Sequence, residues 1–354
     1  MKEHFSRISA FFREIPGRFR HTRLFNLLAG VRNFLSAAWK KIKVFLKTSV
    51  RFTPPTTENM VSFVLRWWHW LLGGLFAFLI LYYPVGALLI HRIDVNPGFS
   101  GETAEDSPKT VATLSALINR EVNEHVWTPS LPFIFPSAIL DNMPGYQTGI
   151  MDGIRRTVDV LAARNPESDD LKKAAAALAY PGTTWYVAGW QPTVSAQRSY
   201  QNARTDLTRY EEKIAEGTAA FSTDPATLSA LLTSLSDGLK GNAETIRKQV
   251  SKYEKRLFDM QADDVFYNVK GQVYVSFLVL RDIREDFKDA FENDAVRWLW
   301  LDAEASLRQA LMIQPLFVTN GSPETQFMPN HLLALGFYLT HARADIQEMR
   351  RLLD

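Results

Sequence analysis

Residues 228–260, LSALLTSLSDGLKGNAETIRKQVSKYEKRLFDM, set Leu228, Leu232, Leu235, Leu239, Ala243, Ile246, Val250, Tyr253, Leu257 and Met260 at steps of three or four. Nine steps cover 32 residues, 3.56 per step. That is the period of one helix face, not the two-residue alternation of a strand. Because it lies nearer 3.6 than 3.5, the stripe runs almost straight along the axis without demanding a supercoil. Asp224 and Pro225 mark the start, as an N-cap and a first-turn proline. Gly238 and Gly241 weaken the helix and mark a bend or a close contact.

Working outward, Tyr200, Ala203, Leu207, Tyr210 and Ile214 share one face, and the short 217–223 connection predicts an antiparallel hairpin with the long helix. Phe266, Val269, Val273, Phe277, Leu280 and Phe287 predict a further amphipathic helix, and residues 298–312 and 331–353 two more. Earlier helices are expected at 110–124, 148–164 and 169–179, and strand-like runs are few and short. The expected class is all-α: a single transmembrane helix followed by a helical-bundle ectodomain with long antiparallel helices. Its Leu and aromatic stripes read as core, not as a cofactor box.

The transmembrane expectation rests on residues 71–90, LLGGLFAFLILYYPVGALLI, an uncharged run of 20. At about 1.5 Å per residue it matches a hydrocarbon core of roughly 30 Å. Trp67, Trp68 and Trp70 precede it, where indole rings favour the headgroup layer. The 66 residues before the indoles, and the lack of a suitable cleavage site beyond the run, argue against a removable signal peptide. Pro84 and Gly86 are tolerated in such spans and carry no functional weight here.

The near-neutral total charge hides a split. Residues 1–66 hold 13 Lys and Arg against three acids, whereas residues 92–354 hold 27 against 35. The positive-inside rule then predicts a cytoplasmic amino terminus and a translocated carboxyl-terminal region. In a bacterial inner membrane, which the pattern suggests, that far side is the periplasm. The expected organisation is a basic cytoplasmic arm over 1–66, the span over 67–91, a Gly-, Pro- and acid-rich tether over 92–109, and a helical periplasmic domain over 110–354. The arm repeats Leu24, Leu27, Leu28, Val31, Phe34, Leu35, Ala38, Ile42 and Phe45, with Lys40, Lys41 and Lys43 between apolar positions. This is a basic amphipathic helix suited to the bilayer surface and its anionic lipid headgroups, with a partner protein as the alternative and nucleic acid less favoured.

Two connections are too apolar for ordinary loops. Residues 125–149 carry four prolines with Trp127, Phe133 and Phe135, and residues 180–195 carry Trp185, Tyr186 and Trp190. Either these aromatics plug the open end of the bundle, or they form a recognition surface for a sugar ring or a peptide.

Catalytic signals are sparse. The chain has no cysteine, and it lacks HExxH, P-loop, GxSxG and dinucleotide-binding patterns, so no metal or cofactor is expected. His331 and His341 stand ten apart, too far for a clamp on one metal. Asp263 and Asp264, with Tyr267 and Lys270 one and two turns on, form the best acid/base group, since adjacent carboxyls raise one another's pKa. Capping and dipole complementation at a helix start are the stronger reading of them. Asp141, before Asn142, Met143 and Pro144, reads first as a turn former.

The strings TPSLPFIFPSAILDNMPGYQTG, GTTWYVAGWQPTVSAQRSYQNA, ADDVFYNVKGQVY and VTNGSPETQFMPNHLLALGFYL resemble those of an uncharacterised bacterial single-span family, domain of unknown function 2333. The resemblance implies a bacterial inner-membrane protein with a helical ectodomain and brings no reaction, cofactor or site with it. Two functions follow as expectations. The favoured one is a noncatalytic envelope protein whose ectodomain binds another envelope protein or a wall polymer. The alternative is a periplasmic glycan hydrolase or lyase with Asp141, Asp263 or Asp264 as acid and an aromatic sugar platform.

Overall fold

The computed structural model describes residues 57–103, 107–140, 142–188, 191–253, 261–315, 317–321 and 329–353. Residues 1–56, which hold Lys40, Lys41 and Lys43 of the basic arm, lie outside these residues. The chain divides into two units, 1–74 and 75–354. Of the first, residues 57–74 are described, all helical, with Trp68 and Trp70 exposed. They open α1 (Thr57–Ile90), the one helix among the described residues long and apolar enough to cross a membrane, over Trp67–Ile90.

The second unit is all-α. After the last turns of α1 come α2 (Lys109–Asn119), a π-turn (Arg120–Glu124), a 3-10 turn (Pro136–Ile139), α3 (Asn142–Arg164), α4 (Asp169–Leu178) and α5 (Ala196–Ala215). Then follow α6 (Pro225–Tyr253), α7 (Ala262–Asp286), α8 (Asp294–Met312) and α9 (His331–Leu353). The long helix begins as expected: Asp224 Oδ1 accepts from the Thr227 N–H at 2.8 Å, and Pro225 is the first helical residue. Leu228, Leu232, Leu235, Leu239 and Ile246 of its stripe are buried; Leu257 and Met260 lie outside the described residues. Helix α3 starts six residues before the predicted 148, because Pro144 falls in a first turn, where its missing N–H costs nothing.

The turn after α5 forms, but the expected hairpin does not. Gly217 takes a positive φ of 70°, its N–H donates to Ile214 O at 2.9 Å, and Thr218 N–H donates to Lys213 O at 2.8 Å. This paired closure ends α5 and turns the chain. Helix α5 then packs on α4 and α2, while α6 packs on α9, α3 and α7. The α5 stripe is matched by the buried Leu171, Ala174 and Leu178 of α4. Burial, not chain adjacency, selects the partner.

Helix α7 is the centre of the domain and is not amphipathic: residues 269–280 are buried without a break. A helix buried all round can carry polar residues only when each finds a partner. Gln272 Nε2 donates to Asn268 Oδ1 at 2.7 Å, Ser276 Oγ to Gln272 O at 2.9 Å, and Lys270 Nζ to Ile313 O at the end of α8 at 2.5 Å. Burial pushes the Lys270 amine down to about 8.

The closest helix contact is α3 on α7. A Cβ built on Gly149 would stand 2.0 Å from Asn268 O, and one on Gly271 would stand 2.2 Å from Tyr146 O. Only glycine permits this approach of backbone to backbone. Gly145, Gly149 and Gly153 repeat at four-residue steps along the α3 face that meets α7.

On α5, burial reinforced by neighbouring Glu212 pushes the Glu211 carboxyl up to about 7. A carboxyl whose folded pKa lies above its unfolded value destabilises the fold once ionised, so the cost is absent below about pH 4.5 and complete above about pH 7. Glu211→Gln is therefore expected to stabilise the domain at about pH 8, on the order of 1–2 kcal/mol after allowance for partial exposure, and to be neutral near pH 4. Urea titrations at the two pH values measure the difference; equal effects at both would contradict the assignment.

Candidate functional site

The densest buried polar network lies where α2 ends. His125 N–H reaches Arg120 O at 2.8 Å, a five-residue step that closes a π-turn. The wider turn brings Arg120, Glu121 and Val122, three consecutive residues, to the inside. Glu121 is 0% exposed and Arg120 4%. Arg120 Nη2 meets Glu121 Oε1 at 2.8 Å, and the other oxygen, Oε2, accepts from Gln147 Nε2 at 3.2 Å and faces His125 Nδ1 at 3.4 Å. Two buried charges persist only with such pairing. Burial alone would lower the Arg120 pKa, but Glu121, with Tyr274 and Tyr146, more than offsets it and holds the guanidinium above its ordinary value.

The network grips the segment that follows α1. Arg120 Nη1 pairs with Asp94 Oδ2 at 3.4 Å, and Arg120 Nη2 donates to Asp94 O at 3.3 Å. Tyr146 of α3 donates to Asp94 O at 2.5 Å, Tyr274 of α7 to Asn96 O at 2.8 Å, and Arg281 Nη1 to Pro97 O at 2.7 Å. Phe99 lies under the Arg120 guanidinium, 4.7 Å from its ring centre, and Ile93 and Val95 pack on the core. Burial raises both tyrosines, Tyr274 to about 12, so they stay protonated as donors. Residues 93–99 were expected to be part of a free tether. They are strapped to the domain instead, because the carbonyls of Asp94, Asn96 and Pro97 find donors on the domain.

Gln147 also ties the network to the first apolar loop, accepting from Thr128 N–H at 3.0 Å and Thr128 Oγ1 at 2.7 Å. Beyond it, Trp127 is buried, with Nε1 donating to Gly182 O at 2.9 Å and its ring edge-on to Tyr200. This contact joins the two aromatic loops. Trp127 thus fills the core; Phe135 and Trp185 are half-buried, and Phe133 and Tyr186 are exposed. Tyr186 O accepts from Thr193 N–H in a short hairpin that pairs Val187 with Pro192. Trp190 and Asp141 lie outside the described residues.

Asp263 and Asp264 occupy the first turn of α7, half-exposed and exposed, where carboxylates complement the helix dipole. The N-cap itself is Gln261. His331 Nδ1 accepts from Thr319 N–H at 3.1 Å, and His341 packs on Phe337 with the rings tilted at 58°. A separate open groove of about 850 Å³ runs along α6, lined by small residues such as Ser229, Thr233 and Gly241 with Arg156 and Gln272. Arg156 Nη2 donates to Gln272 Oε1 at 2.7 Å there.

The sequence reading passed over Arg120, Glu121, Gln147, Tyr146 and Tyr274. Adjacent opposite charges at a helix end read as a solvated pair, and only the third dimension buries them.

Fold and site together define an all-helical domain strapped to the end of one apolar helix. Residues 226–354 match the family model DUF2333, described as an uncharacterized protein conserved in bacteria, and the resemblance holds over that segment. The third and fourth of the four strings fall inside the match and the first two precede it. No curated protein and no solved structure matches the chain.

Proposed function

We propose that this is a membrane-anchored bacterial envelope protein: α1 crosses the inner membrane once, the amino terminus is cytoplasmic, and the helical domain is a noncatalytic periplasmic scaffold for an envelope protein or wall polymer. The observation that carries the reading is the strap at residues 94–97. A domain on a free tether samples tens of ångströms, whereas a support must hold its surface at a set height above the bilayer. Five donated bonds from α3, α7 and the π-turn supply that constraint at the point where the chain leaves α1. The basic arm, with its Lys40, Lys41 and Lys43, adds an attachment to anionic headgroups on the opposite face.

Reporter fusions test the topology. A reporter active only in the periplasm is expected to work after Asp354 and to fail after Lys47. The reverse pattern would remove the periplasmic assignment.

A further inference from the structure

The first apolar loop has a feature that neither core packing nor the Arg120 network uses. Residues 126–140, VWTPSLPFIFPSAIL, contain no charge, and the tip presents Phe133 at 79% exposure and Ile134 at 54%. Such residues are costly to leave in water. The tip is not free in space. Tyr83 donates its hydroxyl to Phe133 O at 2.9 Å, Tyr82 donates to Ile134 O at 3.2 Å, and Gly86 lies so close to Pro136 that an added Cβ would stand 2.4 Å from it. The loop is therefore docked on the side of α1, between one and two turns before its end.

We infer that this loop is a membrane-contact element, with Phe133, Ile134 and Ile139 inserted among the lipid headgroups and upper acyl chains beside α1. The inference rests on the reading of α1 as a span. Trp67–Ile90 has 24 residues, about four more than the roughly 20 that cross a hydrocarbon core. Trp67, Trp68 and Trp70 take up that surplus in the headgroup layer at the other end, and Tyr82 and Tyr83, eight and seven residues before Ile90, lie in the domain-side half of the span. Anything docked on those tyrosines shares that depth.

Backbone satisfaction agrees. Irregular chain survives at this depth only where its polar groups have partners other than water. The two tip carbonyls take the tyrosine hydroxyls, Phe135 N–H donates to Pro132 O at 3.0 Å, and Leu140 N–H donates to Ser137 O at 2.9 Å. Prolines at 129, 132 and 136 remove three further N–H groups that would need acceptors. The combination of exposed apolar side chains, no charge and tip carbonyls bonded to tyrosine hydroxyls suits lipid better than a protein partner, which would reward exposed polar groups at its rim.

Because the chain lacks cysteine, single labels are clean. The full-length protein is reconstituted in phosphatidylcholine and phosphatidylglycerol vesicles as Phe133→Cys, Ile80→Cys or Lys240→Cys, each carrying a nitrobenzoxadiazole fluorophore. Lipids bearing a collisional quencher near the headgroup or deep in the acyl chain then read depth. The expected result is quenching at Phe133 mainly by the shallow quencher, quenching at Ile80 mainly by the deep one, and none at Lys240. Quenching at Ile80 with Phe133 as accessible to water as Lys240 would overturn the loop assignment while leaving the span intact, and would turn the tip over to a protein partner or a second copy. Absence of quenching at Ile80 would overturn the span, and the loop assignment with it.

Discussion

Glu121→Ala is expected to destabilise the domain by about 3–5 kcal/mol, because it leaves the buried Arg120 guanidinium without its one buried counter-charge, with only the half-exposed Asp94 at 3.4 Å remaining. Gln147 and His125 lose an acceptor in the same step. For a domain of this size that corresponds to a melting temperature lower by roughly 10 °C. The double replacement Arg120→Met with Glu121→Met is expected to recover part of the loss, since a buried pair exchanged for apolar groups no longer strands a charge. Thermal unfolding in detergent measures both variants. A loss below about 1 kcal/mol for Glu121→Ala would mean that the pair is solvated in solution.

Gly149→Ala and Gly271→Ala form the second large prediction. Each adds a single methyl group where the facing atom is a backbone oxygen, at 2.0 Å and 2.2 Å, and backbone cannot rotate aside as a side chain can. Helices α3 and α7 must separate along the central contact of the domain, with an expected cost of about 3 kcal/mol or more, above the usual range for overpacking. Gly241→Ala supplies the contrast. Nothing lies within 4 Å of its added Cβ in the middle of α6, so the higher helix propensity of Ala is expected to stabilise by about 0.5–1 kcal/mol. Chemical denaturation of the three variants checks the ordering; equal effects would refute the contact.

Helix existence was largely legible because α6 repeats its apolar residues over many turns and Asp224 with Pro225 marks its start. Partner choice was not. Nothing local in residues 200–214 says that their face meets α4, and a short connection to α6 suggested a hairpin that the packing refuses. The burial of α7 was hidden by Lys270 and Gln272, whose partners Ile313 and Arg156 lie far along the chain. The same holds for α2, whose first N–H groups at Lys109 and Thr110 are capped by Asp286 at the end of α7, at 2.7 and 3.0 Å. One signal was present and unread: Gly145, Gly149 and Gly153, four residues apart, are the pattern of a helix face that admits another backbone.

The strap at residues 94–97 carries the functional account, and its rigidity is directly measurable. Spin labels at His91→Cys, where the chain leaves α1, and at Lys240→Cys on the domain give a distance distribution by double electron–electron resonance in lipid nanodiscs. A single narrow distribution is expected in the intact chain, broadening when Arg120→Ala removes two of the five bonds of the grip. A broad distribution over tens of ångströms in the intact chain, unchanged by Arg120→Ala, would contradict the strap and return residues 92–109 to a flexible tether.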